Sequence, residues 1–298
     1  MGRPEPSRAS VSESWRRLCA VAAFRCQRRA SPPLSPLTFC IAHFNSPAFL
    51  NASLHSIRRF HPEARVIVAD ASSAWPEFMA ARTACERHGA TLHPLVGRHR
   101  HTGLLNYMFG RITSPCGIFL DQDCLLLGRL DPLVRILEDG KALTGPRDEM
   151  WLTNPRLCRV RPELTNFRFR SRPEFVHASL MALNVPRVRS SSRKPFIWRG
   201  EWGPHPLERY YGLTELVRRN QADGVLTLDS AHTGYGLGQV YLFEGRALAY
   251  HHWYSGQVYG RRDKLDDLFD ADWLRAEMDR FLNDYWKDAL NLEIPDSK

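Results

Sequence analysis

Short apolar runs alternate with segments of helical spacing between Leu37 and Leu127, and this alternation restricts the fold more than any other feature of the chain. Apolar runs of four to eight residues bounded by turn residues are typical of buried strands, and Pro47 after Ser46 marks the start of a helix. Strands joined by helices pair in parallel. The pattern predicts a doubly wound α/β sheet with helices on both faces, with strands over 37–42, 65–69, 90–96 and 117–127 and helices over 47–60, 76–88 and 103–112.

Polar residues follow three of these strands. In doubly wound sheets, ligands bind beyond the carboxyl ends of the strands, where the loops that leave them converge. We therefore expect one cleft to be lined by the loops Ala42-His43-Phe44-Asn45, Asp70-Ala71-Ser72-Ser73 and Asp121-Gln122-Asp123.

The third loop contains two carboxylates inside the apolar run from Gly117 to Leu127. An unpaired buried carboxylate costs several kcal/mol, so paired acids in such a run usually meet a cation. On a regular strand, residues i and i+2 point to the same side, so Asp121 and Asp123 could face one hard metal ion. The alternative is a strand end followed by an Asp-rich turn.

Charge and cysteine content restrict the partners and the compartment. The formal charge of +9 is concentrated in the first 36 residues, where seven Arg and two Glu give +5 and leave +4 for the rest of the chain. We therefore expect no nucleic-acid partner. Seven Cys without a CxxC spacing indicate reduced thiols and a cytoplasmic protein. No apolar run approaches the roughly 18 residues of a membrane span, and the basic extension leaves open a peripheral contact at the inner face of a membrane.

The order of these features resembles the nucleotide-binding half of GT-A-fold glycosyltransferases, especially family 2. It runs from strand, loop and helix to a strand ending in Asp70, then to a helix bearing Asn106 and an Asp-x-Asp motif. The resemblance implies a GT-A (Rossmann-like) doubly wound mixed sheet, a nucleotide-sugar donor and Mn²⁺ or Mg²⁺. It also implies nucleotide-sugar contacts from Ala42, His43, Asn45, Asp70, Asn106, Asp121, Gln122 and Asp123. In the motif, the first acid would address the ribose and the second the metal.

The second half of the chain is expected to complete the site. In many GT-A enzymes a carboxyl-side His segment supplies a further metal ligand, and this segment is similar to Tyr250-His251-His252-Trp253. Adjacent strand residues face opposite ways, so one His would bind the metal, with His251 preferred, and the other would form a hydrogen bond. Trp198 and Trp202 are candidate acceptor-binding residues. The resemblance implies a general base near a helix over 207–220, for which Glu215 and Glu208 are candidates and Glu201 a weaker one.

Further elements are expected around these residues: a helix over 131–138, strands over 141–145, 175–184 and 225–228, a Gly-rich loop over 229–238, a hairpin over 240–251 and an amphipathic helix over 270–292. The predicted divisions are a basic, disordered extension (1–36), a nucleotide-sugar-binding half (37–135), an acceptor-binding half of the same domain (136–262) and a carboxyl-terminal helix and tail (263–298).

Taken together, these features predict a metal-assisted transfer of a sugar from a nucleotide-diphosphate sugar, with UDP as the expected nucleotide, to a carbohydrate, lipid-linked or other hydroxyl acceptor. The expected setting is synthesis of a cell-surface polysaccharide or glycoconjugate. The alternatives are an inactive relative that binds nucleotide and a nucleotidyltransferase on a related fold. A phosphatase of the haloacid dehalogenase type fits less well, because Leu125 stands where its motif has Thr or Val. The sugar, the anomeric outcome and the oligomeric state stay open.

Overall fold

The structure is a computed structural model of the 298-residue chain. It describes residues 36–95, 101–148, 172–196, 213–214, 217, 224–253, 255, 258, 271–290 and 292. Apart from Pro36, the predicted basic extension lies outside the described residues. None of the described helices is both long enough and apolar enough to cross a membrane.

Eleven strands and six helices are described with defined bounds. The strands are β1 (Leu37–His43), β2 (Arg65–Asp70), β3 (Thr91–Pro94), β4 (Cys116–Asp121), β5 (Cys124–Leu126), β6 (Leu143–Asp148), β7 (Arg172–Val176), β8 (Leu180–Asn184), β9 (Val225–His232), β10 (Gly238–Phe243) and β11 (Arg246–His252). The helices are α1 (Pro47–Phe60), α2 (Trp75–Arg87), α3 (His101–Phe109), α4 (Asp131–Glu138), α5 (Val185–Ser191) and α6 (Ala271–Trp286).

The first half of the sheet is parallel, as the alternation predicts. Strands β3, β2, β1 and β4 lie in that spatial order, and β1 pairs in parallel with both β2 and β4. The chain moves outward from β1 to β3 and then returns across β1 to β4. Since such crossovers are right-handed, the return places α3 on the opposite face of the sheet from α1 and α2. The predicted doubly wound α/β architecture is confirmed, and the reversal point lies between β1 and β4.

The second half of the sheet is mixed. From β4 the order continues as β8, β6, β9, β10, β11 and β5, and of these pairings only β6 with β9 is parallel. Although β4 and β5 are separated by two residues, β5 pairs with β11 at the far end of this path. The turn between them therefore carries the chain from one part of the sheet to another.

Several expected segments differ from the structure, and the expected strand over 117–127 is one of them, since it is divided into β4 and β5. The predicted strand over 175–184 is divided into β7 and β8, because the chain turns at His177, whose Nδ1 accepts a hydrogen bond from the Ser179 amide (3.2 Å). The expected Gly-rich loop over 229–238 begins later than predicted, because β9 continues to His232 through pairing with β10. Pairing with a distant strand extends β9 in a way that its own residue pattern does not indicate.

Two clusters of buried side chains join the sheet to the helices around it. One cluster packs Cys40, Ala42, Ile67 and Ala69 of the parallel strands against Leu104, Leu105 and Met108 of α3. The other joins Phe49 and Ala52 of α1 to Tyr250 of β11 and to Leu274, Met278 and Phe281 of α6. The ring of Phe281 stacks on that of Tyr250, with centroids 3.9 Å apart. The buried face of α6 therefore packs against the domain.

A candidate metal centre and the loops around it

Asp121, Asp123 and His251 form a compact group at the point where the chain leaves β4. Each offers one ligand atom, and the three atoms lie within 4.8 Å of one another. His251 Nε2 is 3.4 Å from Asp123 Oδ1 and 3.8 Å from Asp121 Oδ2. The three residues come together because β5 pairs with β11, which places His251 opposite Cys124. Two carboxylates and one imidazole are a suitable ligand set for Mn²⁺ or Mg²⁺.

The two acids converge through a turn rather than along a strand. Strand β4 ends at Asp121, and Gln122 and Asp123 form the turn before β5. The expectation that i and i+2 alternation on a regular strand would align the carboxylates is therefore wrong, and the alternative of a strand end followed by a turn describes the backbone. Two main-chain bonds hold the turn, from the Asp121 amide to the Ser179 carbonyl (3.1 Å) and from the His252 amide to the Asp123 carbonyl (3.0 Å).

The side chain of Gln122 ties this turn to two other loops. Its Oε1 accepts from the Phe44 amide (2.6 Å), and its Nε2 donates to the Phe44 carbonyl (3.0 Å) and to Ser255 Oγ (3.1 Å). The Ser255 amide in turn donates to Asp123 Oδ2 (3.1 Å). One carboxylate oxygen of Asp123 is thus held by the main chain, while the other faces His251. Gln122 therefore supports the geometry of the acid pair, and its contact with a nucleotide sugar stays a prediction.

The electrostatics of the acid pair favour a bound cation. Burial and the neighbouring charge of Asp123 raise the pKa of Asp121 to about 7. Burial opposes ionisation of Asp123 as well, but the neighbouring His251 and the hydrogen bond from the Ser255 amide hold its pKa below the ordinary value. Two carboxylates this close disfavour each other's ionisation, and a divalent ion between them removes that repulsion. The residues present therefore fit a divalent metal.

Histidine is concentrated around this group. His101 Nε2, at the start of α3, lies 3.7 Å from Asp121 Oδ1. The ring of His177 lies 5.9 Å from that of His251 and 4.4 Å from that of Trp253, and burial lowers the pKa of His177 to about 3. Sequence reasoning did not assign His101 or His177 to the site. His101 belongs to the basic sequence Arg98-His99-Arg100-His101, which is a weak signal for a site, and no local pattern marks His177.

His252 faces away from the acid pair. Its Nδ1 donates to the Trp253 carbonyl (3.1 Å), and its ring lies near those of Phe49 (6.0 Å) and Tyr250 (6.1 Å) in the cluster beneath α6. Burial lowers the pKa of His252 to about 4. Among the described residues, the metal-ligand group includes His251 and does not include His252. Binding of a metal ion by His251 stays a prediction.

The loops after β1 and β2 are bonded to each other beside the acid pair. The Ser46 amide donates to His43 Nε2 (3.2 Å), so the His43 proton lies on Nδ1, which donates to Asp70 Oδ1 (2.6 Å). That oxygen also accepts from the Ser72 amide and hydroxyl. Burial opposes ionisation of Asp70, but the bond from His43 and those from Ser72 lower its pKa. A carboxylate at the end of β2 is therefore kept ionised.

Ala42 and Asn45 complete this part of the cleft. Ala42 is buried in β1 in register with Ala69 of β2 and Asp121 of β4, so the three loops do leave neighbouring strands. Asn45 has a positive φ of 50°, and its amide side chain accepts from the Ser73 amide (2.9 Å) and donates to Ser73 Oγ (2.7 Å). The two loops thus form a joined wall of the predicted cleft.

Asn106 uses both atoms of its amide on another segment. Its Nδ2 donates to the Phe196 carbonyl (2.7 Å), and its Oδ1 accepts from the Phe196 amide (3.1 Å). These bonds fasten the chain after α5 to α3. Four predicted site residues of the acceptor half, Trp198, Trp202, Glu208 and Glu215, lie outside the described residues, as does Glu201.

Comparison with known proteins gives distant structural likenesses. No protein-family model matches the chain, and no curated protein matches it. Among solved structures, it is similar to the mannosyltransferase PcManGT from Pyrobaculum calidifontis in complex with GDP-Man and Mn²⁺, at 15% identity and a TM-score of 0.37, over 61% of this chain and 56% of that one. It is also similar to glucosyl-3-phosphoglycerate synthase from Mycobacterium tuberculosis, at 16% identity and a TM-score of 0.44, over 78% of each chain.

A third similar structure is the galactosyltransferase LgtC in complex with donor and acceptor sugar analogues, at 15% identity and a TM-score of 0.38, over 64% of this chain and 72% of that one. The chain spans a little over half the length of the mannosyltransferase. At these values, the assignment of a function depends on the residues of the chain itself.

Proposed function

We propose that the chain is a GT-A glycosyltransferase that moves a sugar from a nucleotide-diphosphate sugar to an acceptor hydroxyl with the help of a divalent metal. One observation carries the proposal: Asp121, Asp123 and His251 converge where β1 and β4 reverse the sheet order, beside the loops after β1 and β2. This crevice is where open α/β sheets bind ligands. A metal ion at that place would suit the diphosphate of a donor, and the polar loops with Asp70 would suit its ribose.

The proposed roles follow from the contacts of each group. Asp121 Oδ2, Asp123 Oδ1 and His251 Nε2 would hold Mn²⁺ or Mg²⁺, which neutralises the charge of a departing diphosphate when it is bound. The Ser255 amide orients Asp123, and Gln122 keeps Ser255 and the loop after β1 in place. These groups are preorganised in the protein, so little rearrangement would accompany binding.

The donor nucleotide would lie along the wall formed by the loops after β1 and β2. Ala42, His43 and Asn45 would surround it, and the ionised Asp70 would accept hydrogen bonds from the base or ribose. His43 and Ser72 occupy only Oδ1 of Asp70 in the described contacts. We propose UDP as the nucleotide, with Asn106 acting through the segment it holds at Phe196.

The acceptor half completes the proposal. Trp198 and Trp202 would contact a carbohydrate, lipid-linked or other hydroxyl acceptor, and Glu215 or Glu208 would act as general base if the reaction inverts the anomeric carbon. The proposed setting is synthesis of a cell-surface polysaccharide or glycoconjugate, at the cytoplasmic side, with a peripheral membrane contact through the basic extension.

The proposal is tested by stability and turnover with a panel of nucleotide sugars. A donor that raises the melting temperature only together with Mn²⁺ or Mg²⁺ identifies the nucleotide. Metal-dependent release of the nucleoside diphosphate from that donor then measures activity. Asp123→Asn keeps an acceptor for the Ser255 amide but removes the charge, and we expect it to abolish the metal-dependent release. The control is Asp139→Asn, at an exposed position after α4.

The products separate the competing functions. Release of nucleoside diphosphate together with a glycosylated acceptor supports the transferase. Release of pyrophosphate would indicate a nucleotidyltransferase, and metal-dependent binding of a donor without turnover would indicate an inactive relative. Full activity of Asp123→Asn would overturn the proposed metal role.

A further inference from the structure

A chain of polar side chains runs through the protein interior behind His251. His251 Nδ1 lies 2.8 Å from Tyr241 Oη, which lies 2.6 Å from Ser179 Oγ, which lies 2.9 Å from His177 Nδ1. We infer that Tyr241 and Ser179 are positioning residues that fix hydrogen on Nδ1 of His251, so that Nε2 is the nitrogen left to bind a metal ion together with Asp121 and Asp123. The part of this inference that concerns metal affinity rests on the proposed function, whereas the tautomer does not.

The direction of these hydrogen bonds is determined at His177, at the end of the series of side chains farthest from His251. The main-chain amide of Ser179 donates to His177 Nδ1 (3.2 Å), and an amide can only donate. His177 Nδ1 is therefore an acceptor and carries no hydrogen. The hydroxyl of Ser179, at 2.9 Å from the same nitrogen, must consequently donate to it as well.

Each following bond then has only one assignment. Because the single hydrogen of Ser179 Oγ points to His177, this oxygen accepts the hydrogen of Tyr241. The Tyr241 oxygen, having given its hydrogen to Ser179, accepts from His251 Nδ1. An imidazole with hydrogen on Nδ1 presents an available lone pair at Nε2, the atom 3.4 Å from Asp123 Oδ1. The main-chain amide of Ser179 thus determines the tautomer of His251 through the hydroxyl groups of Ser179 and Tyr241.

Burial strengthens this arrangement. Ser179 is fully buried, and Tyr241 is 1% exposed, so solvent does not compete for these bonds. Burial also raises the pKa of Tyr241 well above its ordinary value, which keeps its hydroxyl protonated. The Ser179 carbonyl accepts from the Asp121 amide (3.1 Å), so the same residue supports both His251 and the first acid. Such supporting bonds usually change metal affinity by about 10-fold to 100-fold.

The first test uses the unaltered protein. In protein labelled with ¹⁵N at histidine, with the His251 signal assigned by its loss in His251→Gln, one-bond coupling shows whether Nδ1 carries hydrogen. We expect hydrogen on Nδ1 of His251 both without metal and with Mg²⁺, and no hydrogen on Nε2 when Mg²⁺ is bound. A Nδ1 without hydrogen would overturn the inference, and this result needs neither a substitution nor turnover.

The second test compares Mn²⁺ affinity in matched variants. Tyr241→Phe removes the acceptor for His251 Nδ1, and we expect Mn²⁺ to bind about 10-fold to 100-fold more weakly. Ser179→Ala keeps Tyr241 but removes its acceptor, and we expect a smaller loss. The control is Tyr235→Phe, because Tyr235 is equally buried and its hydroxyl donates to Asp284 (2.9 Å) outside the ligand group.

The outcomes distinguish this inference from the proposed function. If the unaltered protein binds neither Mn²⁺ nor Mg²⁺, the proposed metal centre is overturned. The NMR measurement still shows whether Nδ1 of His251 carries hydrogen. If the unaltered protein binds Mn²⁺ and Tyr241→Phe binds it as tightly as Tyr235→Phe does, the positioning role of Tyr241 is overturned. If Tyr241→Phe does not fold, Ser179→Ala and the tautomer measurement decide.

Discussion

Replacement of Gln122 by Ala removes the side chain that joins the acid-bearing turn to its surroundings. Gln122 is only 6% exposed, and it forms three hydrogen bonds, two with the main chain of Phe44 and one with Ser255 Oγ. Alanine has no polar side-chain atom that could form any of these three bonds. The Phe44 amide, for example, would lose an acceptor at 2.6 Å.

The size of the effect follows from these three bonds. A typical hydrogen bond contributes about 0.5 to 1.5 kcal/mol, and a buried group left without a partner costs about 1 to 3 kcal/mol. Partial access of water to the loop offsets some of this loss. We therefore expect Gln122→Ala to lower the free energy of unfolding by about 2 to 4 kcal/mol. Gln122→Glu keeps the acceptor for Phe44 but loses both donors and adds a third carboxylate, so without metal it is expected to be no more stable than Gln122→Ala.

Urea denaturation followed by tryptophan fluorescence measures the stability of each variant. Titration of the folded variants with Mn²⁺ measures their metal affinity. Because Ser255 holds Asp123, loosening it should weaken Mn²⁺ binding about 10-fold, as for other supporting groups. A loss of less than about 0.5 kcal/mol, the lower value for one hydrogen bond, would refute the view that Gln122 fastens the turn.

Two further predictions concern the packing of α6 and the protonation of the buried His61. Phe281 has a fully buried ring stacked on that of Tyr250, so Phe281→Ala should lower the free energy of unfolding by about 3 to 5 kcal/mol. Trp286 is 48% exposed on the same helix, so Trp286→Ala should lower it much less. Equal losses in urea denaturation would contradict the packing of Phe281 against Tyr250. Burial lowers the pKa of His61 to about 4, while its Nε2 accepts from the Leu130 amide (2.9 Å). The unfolded chain therefore binds this proton first, and stability should be lost as pH falls from about 6.5 to about 4. His61→Gln should lose less over that range, and an identical pH dependence would argue against a neutral buried His61.

Local sequence patterns were sufficient to predict the strands and helices of the parallel half of the sheet. The apolar runs over 37–42 and 65–69 became β1 and β2, and Pro47 opens α1 as predicted. The strands are buried on both faces and the helices along one side, so the spacing of their apolar residues shows which side chains are buried. The crossover rule then fixes how they are joined, because sequential strands and helices leave few alternatives.

The second half depends on pairings between distant segments. Nothing in the run 117–127 indicates that β4 and β5 belong to different parts of the sheet, since both are equally apolar. The turn at Gln122 is determined by bonds to Phe44 and Ser255, which lie 78 and 133 positions away. Strand registers of this kind are set by tertiary contacts, which a local pattern does not record.

For the candidate site, residue types were easier to predict than their surroundings. Asp121, Asp123 and His251 were expected together and lie together, although through a turn that the strand argument did not include. Tyr241, Ser179 and His177 were missed, because an isolated Tyr, Ser or His in an apolar segment is far more often a packing residue. Their role depends on the directions of hydrogen bonds that link the turn between β7 and β8 to strands β10 and β11, and a local sequence pattern does not record these.

The most direct test of the metal centre is a crystal structure of the full chain grown with Mn²⁺, with anomalous diffraction data that locate the ion. We expect one strong anomalous peak at about 2.0 to 2.3 Å from Asp121 Oδ2, Asp123 Oδ1 and His251 Nε2. Absence of a peak at these three atoms, or a Mn²⁺ ion bound elsewhere while they keep their present contacts, would contradict the proposed centre.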